Sequence, residues 1–198
     1  RFIKKEGNVV TSQPIKGTAP RGMDAQADEA LKLHLQNDPK ERAENIMIVD
    51  LVRNDLSRIA KKGSVQVSEL CGIHTFETVH QMISTVECEV EQDLPFMDIL
   101  KASFPMGSMT GAPKVEAMKI IDETEDFNRG IYSGSVGYIS PNGDFDFNVV
   151  IRSMIYNREK KYLSCAVGGA ITILSDPEKE FEECQTKIQK ILNGMYAE

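Results

Sequence analysis

The stretch IYSGSVGYIS PNGDFDFNVV IRSMIYNREK KYLSCAVGGA ITIL, residues 131–174, decides the fold class. It contains three β-rich runs, Ile131–Ile139, Phe145–Tyr156 and Tyr162–Leu174, separated by Ser140-Pro141-Asn142-Gly143-Asp144 and by Asn157–Lys161. Runs rich in β-branched and aromatic residues, joined by short turn-forming segments, predict an antiparallel meander. Upstream, Gln81–Val90 reads as a strand with Met82, Ser84, Val86, Cys88 and Val90 on one face at period two, and Ser64–Ser68 as a shorter strand. Strands and helices mix without regular βα alternation, so the class is α+β, with helices packed on antiparallel sheets.

Working outward, the helices announce themselves by caps. Asp38 is a plausible N-cap, Pro39 follows at the first helical position and Glu41 completes a capping box, predicting a helix to about Ala60. Its middle, Ile46–Val52, is apolar almost all round, which predicts burial on most faces. Ala27, Leu31 and Leu35 predict an earlier helix from Asp24, interrupted at Asn37-Asp38-Pro39. Pro95–Ala102 reads as a short helix, and the loop Phe104–Lys114 opens another through Glu123. Ser175 with Glu178 forms a second capping box for a final helix reaching about Leu192. Pro14–Gly22 holds two prolines and two glycines and reads as an ordered loop without regular structure.

Composition narrows the function classes. No apolar run reaches the roughly 18 to 20 residues of a membrane span. A net charge of −7 argues against a sequence-independent nucleic-acid surface. Cys71, Cys88, Cys165 and Cys184 share no CxxC spacing, which fits reduced thiols in a cytoplasmic protein. The 198 residues read as one domain or part of one, and with Arg1 first the start looks truncated.

Several residues stand out chemically. Glu180, Glu183 and Lys187 share one face of the final helix at i, i+3 and i+7; taken alone, Glu183 and Lys187 make a solvated ion pair. Glu44 lies on the face of Ile48 and Leu51, either carried inward or simply favoured near a helix start. Two carboxylates from distant helices would suit Mg²⁺ if they met. The loop Gly107–Lys114 departs from a nucleotide P-loop, because Val115 rather than Ser or Thr follows the lysine; Ser108, Thr110 and the loop amides could still hold a carboxylate. Lys16 sits in the punctuated loop, His80 opens a strand, and Arg152, in mid-strand, needs a carboxylate from protein or ligand.

Four segments together resemble the chorismate-binding enzymes: Pro14-Ile15-Lys16-Gly17-Thr18; Asp50-Leu51-Val52-Arg53-Asn54-Asp55-Leu56; Gly107-Ser108-Met109-Thr110-Gly111-Ala112-Pro113-Lys114; and Asp176-Pro177-Glu178 ahead of Phe181-Glu182-Glu183. That family includes anthranilate synthase component I, aminodeoxychorismate synthase component I, and the isochorismate and salicylate synthases. The resemblance runs in order over essentially the whole chain and implies the C-terminal part of an α/β/β/α sandwich, the N-terminal half lying outside it. It implies Mg²⁺ on Glu44 and Glu183, a carboxylate grip by Arg152 and Tyr132, and a pocket lined by Ser108, Thr110 and the Gly168 and Gly169 amides. Lys187 would add positive charge and His80 would face the reacting ring.

Lys16 points to one branch of that family, since the resembling anthranilate synthases carry alanine there and aminodeoxychorismate synthases carry lysine. The implied activity is amination of chorismate to 4-amino-4-deoxychorismate, on the way to 4-aminobenzoate and folate, with ammonia from a separate glutamine amidotransferase subunit. The lysine would attack ring C2 as a nucleophile. Anthranilate formation and a non-catalytic metabolite-binding module are the alternatives. The resembling enzymes also place a Ser-Pro-Glu, whose Glu is an acid, just before the segment that begins here as Arg1-Phe2-Ile3. Gly72-Ile73-His74-Thr75-Phe76 departs from the usual Val-Asp-Arg-Tyr type, which leaves His74 without a role.

Overall fold

The computed structural model describes residues 1–173 and 175–195. It divides into two compact units, Arg1–Asp126 with Ser135–Asn148, and Phe127–Gly134 with Val149 onward. The first unit is an antiparallel sheet packed with helices. Its strands are β1 (Ile3–Glu6), β2 (Val9–Ser12), β3 (Ile15–Pro20), β4 (Gln66–Thr75), β5 (Val79–Glu89), β6 (Ser135–Ile139) and β7 (Phe145–Val149). The order is β3-β5-β2-β1-β7-β6, with β4 also on β5.

Strand β5 is the spine. Strands β2 and β3 lie end to end along one edge, facing Val86–Glu89 and Val79–Ile83, and β4 runs along the other. The period-two face read in the sequence is the core: Met82, Ser84, Val86 and Val90 are 0% exposed and Cys88 is 1% exposed. Each apolar member of that row contributes roughly 1.5–3 kcal/mol of burial.

The segment read as an irregular loop is strand β3. A proline-rich stretch can be a strand here because β3 is an edge with β5 as its one partner, so the missing N–H of Pro20 breaks no inner ladder. Gly17, at φ +86°, takes up a register shift between Ile15 and Thr18 as a β-bulge. Strand β4 is longer than expected for a related reason. Register shifts around Glu69 and a left-handed Cys71, φ 55°, destroy the alternation that would reveal it. Glu69 folds over Gly72, where a Cβ would stand 2.1 Å from its carboxylate, and meets His74 at 2.9 Å. His74 therefore serves that bulge.

Helices α1 (Ala25–Asn37) and α2 (Pro39–Ser57) pack on the sheet. Asp24 caps α1 through the Ala27 amide, and Asp38 caps α2 through the amides of Lys40 and Glu41. Helix α2 is held by Asn45, 0% exposed, whose Oδ1 accepts from the hydroxyl of Ser84 and whose Nδ2 donates to the Met82 carbonyl. It is not buried on most faces: Asn45, Ile48, Val49, Asp55 and Leu56 face inward, while Ile46 and Met47 border an open hollow of about 620 Å³ with Leu51 and Ala112. Helix α3 (Phe96–Ser103) rests on β7 through Phe96, stacked on Phe147 at 5.1 Å and edge-on to Phe145 at 5.0 Å. A single 3₁₀ turn, Gly107–Met109, then leads to α4 (Lys114–Thr124).

The second unit holds β8 (Met154–Asn157), paired antiparallel with β9 (Tyr162–Cys165), and α5 (Pro177–Met195). The expected three-run meander is therefore split. Strands β6 and β7 join the large sheet, and the run Phe145–Tyr156 breaks at residues 150–153, where Arg152 adopts φ 51°. The third run ends as a strand at Cys165, before Gly168 and Gly169, and its last residue, Leu174, lies outside the described residues. The four cysteines are free thiols, Cys71 and Cys88 buried. Among the described residues no helix is long and apolar enough to cross a membrane.

Candidate functional site

In the first unit, the β3 bulge delivers Lys16 to helix α2. Its Nζ lies 3.5 Å from Glu44 Oε2, with the two side chains 22% and 16% exposed. Gly17 makes the approach possible: a Cβ there would stand 3.0 Å from Leu35 Cδ1 and 3.2 Å from Glu41 Oε2. Glu41 is the residue that sequence reasoning assigned only to capping. Burial pushes its carboxyl above the usual range, and the neighbouring Glu44 and Asp38 add to the shift, with Lys40 and Lys16 opposing it. The signal in the sequence was the i, i+3 pair Glu41 and Glu44, one turn apart on one face.

This corner gathers the hard oxygen donors of Glu41 and Glu44, the ligand type that suits Mg²⁺, with Lys16 against Glu44. Among the described residues no three His, Cys, Asp or Glu side chains converge as a ready metal cage. The fit is to an ion that keeps water or substrate oxygens in its shell, as Mg²⁺ does.

His80 is placed elsewhere. Its ring is 0% exposed and both nitrogens are engaged, Nδ1 with Thr75 Oγ1 at 2.9 Å and Nε2 with Asp28 Oδ1 at 3.0 Å. Asp28 is gripped by Nε and Nη2 of Arg21 at 2.8 and 2.9 Å and by the Gly22 amide at 2.8 Å. The Arg21 guanidinium, followed by the Gly22 N–H, holds the Asp28 carboxyl far below the usual range. With both nitrogens engaged, this buried ring ties α1 and β4 to β5.

The loop carrying Ser108 and Thr110 lies against α2. A Cβ on Gly107 would stand 3.0 Å from Leu51, and Lys114 Nζ donates to Asp55 Oδ2 at 2.6 Å. Ser108 is exposed, while the Thr110 hydroxyl donates to the Met106 carbonyl at 3.0 Å and so fastens the loop on itself.

In the second unit, α5 gathers most of the remaining candidates. Lys187 Nζ lies 2.5 Å from Glu183 Oε1 and donates to the Gly168 carbonyl at 2.9 Å. A Cβ on Gly168 would be 2.7 Å from the Tyr132 hydroxyl, and one on Gly169 would be 3.1 Å from Glu180 Oε2. Glycine at 168 and 169 thus lets Tyr132 and Glu180 approach the backbone closely, most tightly at Gly168. Glu180 also accepts from Ser175 Oγ at 2.8 Å, so it belongs to this cluster although it was read only as part of a helix face. Arg152 stands apart: it is exposed, lies between β7 and β8, and needs no internal carboxylate.

Comparison with known proteins agrees over nearly the whole chain. The profile of the family described as chorismate binding enzyme matches residues 1–193. Aminodeoxychorismate synthase, chloroplastic, of Arabidopsis thaliana is 46% identical over 196 residues, 98% of this chain and 21% of that protein. Aminodeoxychorismate synthase component 1 of Salmonella typhimurium is 45% identical over 195 residues, again 98% of this chain and 42% of that one. The crystal structure of anthranilate synthase component I from Streptococcus pneumoniae matches with a TM-score of 0.82 at 36% identity, covering 96% of this chain and 41% of that chain. The chain therefore spans less than half the length of each of these relatives.

Proposed function

Because this chain belongs to the family of chorismate-binding enzymes, we propose that the polypeptide carrying it aminates chorismate with ammonia to 4-amino-4-deoxychorismate, using Lys16 as a covalent nucleophile. The observation that carries this reading is the meeting of Lys16 with Glu44 on a bulge that the fold pins from three sides. An amine held so is already oriented, and orientation is a large part of what a site contributes. The Lys16 amine attacks ring C2 as the C4 hydroxyl leaves as water, the proton released from the attacking nitrogen balancing the one the hydroxyl takes up. Ammonia then attacks C4 and the bond from C2 to the lysine nitrogen breaks, which restores the amine.

Glu44 in the first unit and Glu183 in the second are the carboxylates that would hold Mg²⁺, and the ion if bound would attract a substrate carboxylate by charge. Ser108, Tyr132, Arg152, Lys187 and the amides of Gly168 and Gly169 are the proposed carboxylate binders, joined by Thr110 when its hydroxyl turns from the Met106 carbonyl to the substrate. The exposed guanidinium of Arg152 leaves its donors available for a bidentate grip. The names of bacterial relatives, component 1, fit an ammonia-supplying amidotransferase partner.

The test is the full-length polypeptide against K16A, with chorismate, ammonium and Mg²⁺, the products separated by chromatography. Loss of 4-amino-4-deoxychorismate in K16A is expected; unchanged production would overturn the nucleophile. A relative named anthranilate synthase component 1 is 39% identical over 190 residues. If the wild type releases anthranilate instead, ammonia adds at C2 without the lysine.

A further inference from the structure

Helix α2 carries Glu44 near its start and Asp55 near its end, about 16 Å apart along the axis at 1.5 Å per residue. The loop bearing Ser108 and Thr110 is fastened to that helix at both ends. At one end Gly107 rests on Leu51, so close that a Cβ would stand 3.0 Å from its side chain and force it to give way. At the other, Lys114, the first residue of α4, reaches Asp55 at 2.6 Å, 59 positions away in sequence.

That second fastening is an expensive one. The Asp55 side chain is 5% exposed and that of Lys114 is 16% exposed. Among the described residues Asp55 Oδ1 has no hydrogen-bond partner. Burial pushes the Asp55 carboxyl above its ordinary range even against the pull of Lys114. A buried pair with one oxygen unsatisfied adds little stability compared with an apolar pair of the same volume. What it does supply is a directional, charge-assisted contact that fixes one distance.

We propose that Asp55 and Lys114 are positioning residues for substrate binding: their pair holds the 107–113 loop at a set place along α2, so that Ser108 and Thr110 stand at a fixed distance from Glu44. The inference rests on the reading of that loop as a carboxylate binder. It predicts that fold stability and substrate affinity come apart when the pair is replaced.

The experiment uses the full-length polypeptide as D55L/K114M, K114M and K114R, measuring chorismate affinity at equilibrium with Mg²⁺, kcat, thermal midpoint and amide exchange over residues 107–112. The apolar double variant is expected to keep its thermal midpoint, while the chorismate Kd rises at least about tenfold, loop exchange speeds up by a similar factor and kcat changes less. K114R, which keeps the charge, should recover most of the affinity. Wild-type affinity and wild-type exchange in D55L/K114M would overturn the proposal. Should the double variant fail to fold, D55N serves instead, and unaltered Kd and exchange in it overturn the proposal equally. A wild-type protein that binds no chorismate would instead sink the functional reading, and the exchange measurement judges the fastening by itself.

Discussion

A lysine–glutamate pair in the second unit and one in the first are built differently. Lys187 and Glu183 lie one turn apart on α5, 2.5 Å from each other, with Glu183 50% exposed. Helix geometry alone brings such residues together. Lys16 and Glu44 come from a strand and a helix, stand 3.5 Å apart and are 22% and 16% exposed. Nothing local joins them; a bulge, a glycine and the packing of α2 on β5 do. The shorter pair is therefore the less informative one, and the looser pair is the one that only the tertiary fold can assemble.

The comparison breaks most visibly at Gly17. In G17A, a left-handed residue gains a Cβ that meets Leu35 and Glu41, so Lys16 should shift, and turnover should fall on the order of a hundredfold, as for a misplacement of about 1 Å. Steady-state kinetics beside a thermal melt checks it, a loss of stability without loss of turnover contradicting the idea. Next come the two carboxylates. E44Q and E183Q should each weaken Mg²⁺ binding by at least about tenfold, read by calorimetry; if only one does, the other pair is merely structural.

Acid titration sharpens the contrast within the first unit. The Asp28 carboxyl lies far below its ordinary value, chiefly through Arg21, so its contribution to stability is present above the ordinary aspartate range and lost as pH falls below it. The Glu41 carboxyl is raised from its ordinary 4.5 by burial, so its contribution has the opposite sign, present below that value and lost as pH rises through the elevated one. At neutral pH, D28N should lower the thermal midpoint and E41Q raise it modestly, both differences shrinking on acidification. The smallest effect belongs to K187M, which should cost only about 0.3–0.5 kcal/mol in denaturant melts, the worth of an i,i+4 pair.

Much of this architecture was legible in advance. The buried row of β5 follows from period-two patterning, and the start of α2 from Asp38 and Pro39, because both signals are local. Strand β3 was hidden because Pro14, Gly17 and Pro20 spoil the pattern, although an edge strand with a bulge tolerates all three. Arg152 was misplaced for the reverse reason: a continuous β-rich run concealed a left-handed break at that residue. The partners of His80 were equally hidden, since only the structure brings Asp28 and Thr75 to its two nitrogens. The pairing of Asp55 with Lys114 is a long-range contact, and no periodicity in one chain reports it.

The most direct measurement is peptide mass mapping of the full-length polypeptide after incubation with chorismate and Mg²⁺ in the absence of ammonia. The account predicts that the peptide containing Lys16 gains the mass of chorismate less one water, and that ammonium removes the adduct as 4-amino-4-deoxychorismate forms. An unmodified Lys16 peptide from a preparation that aminates chorismate at full rate once ammonium is added, with K16A equally active, would contradict it.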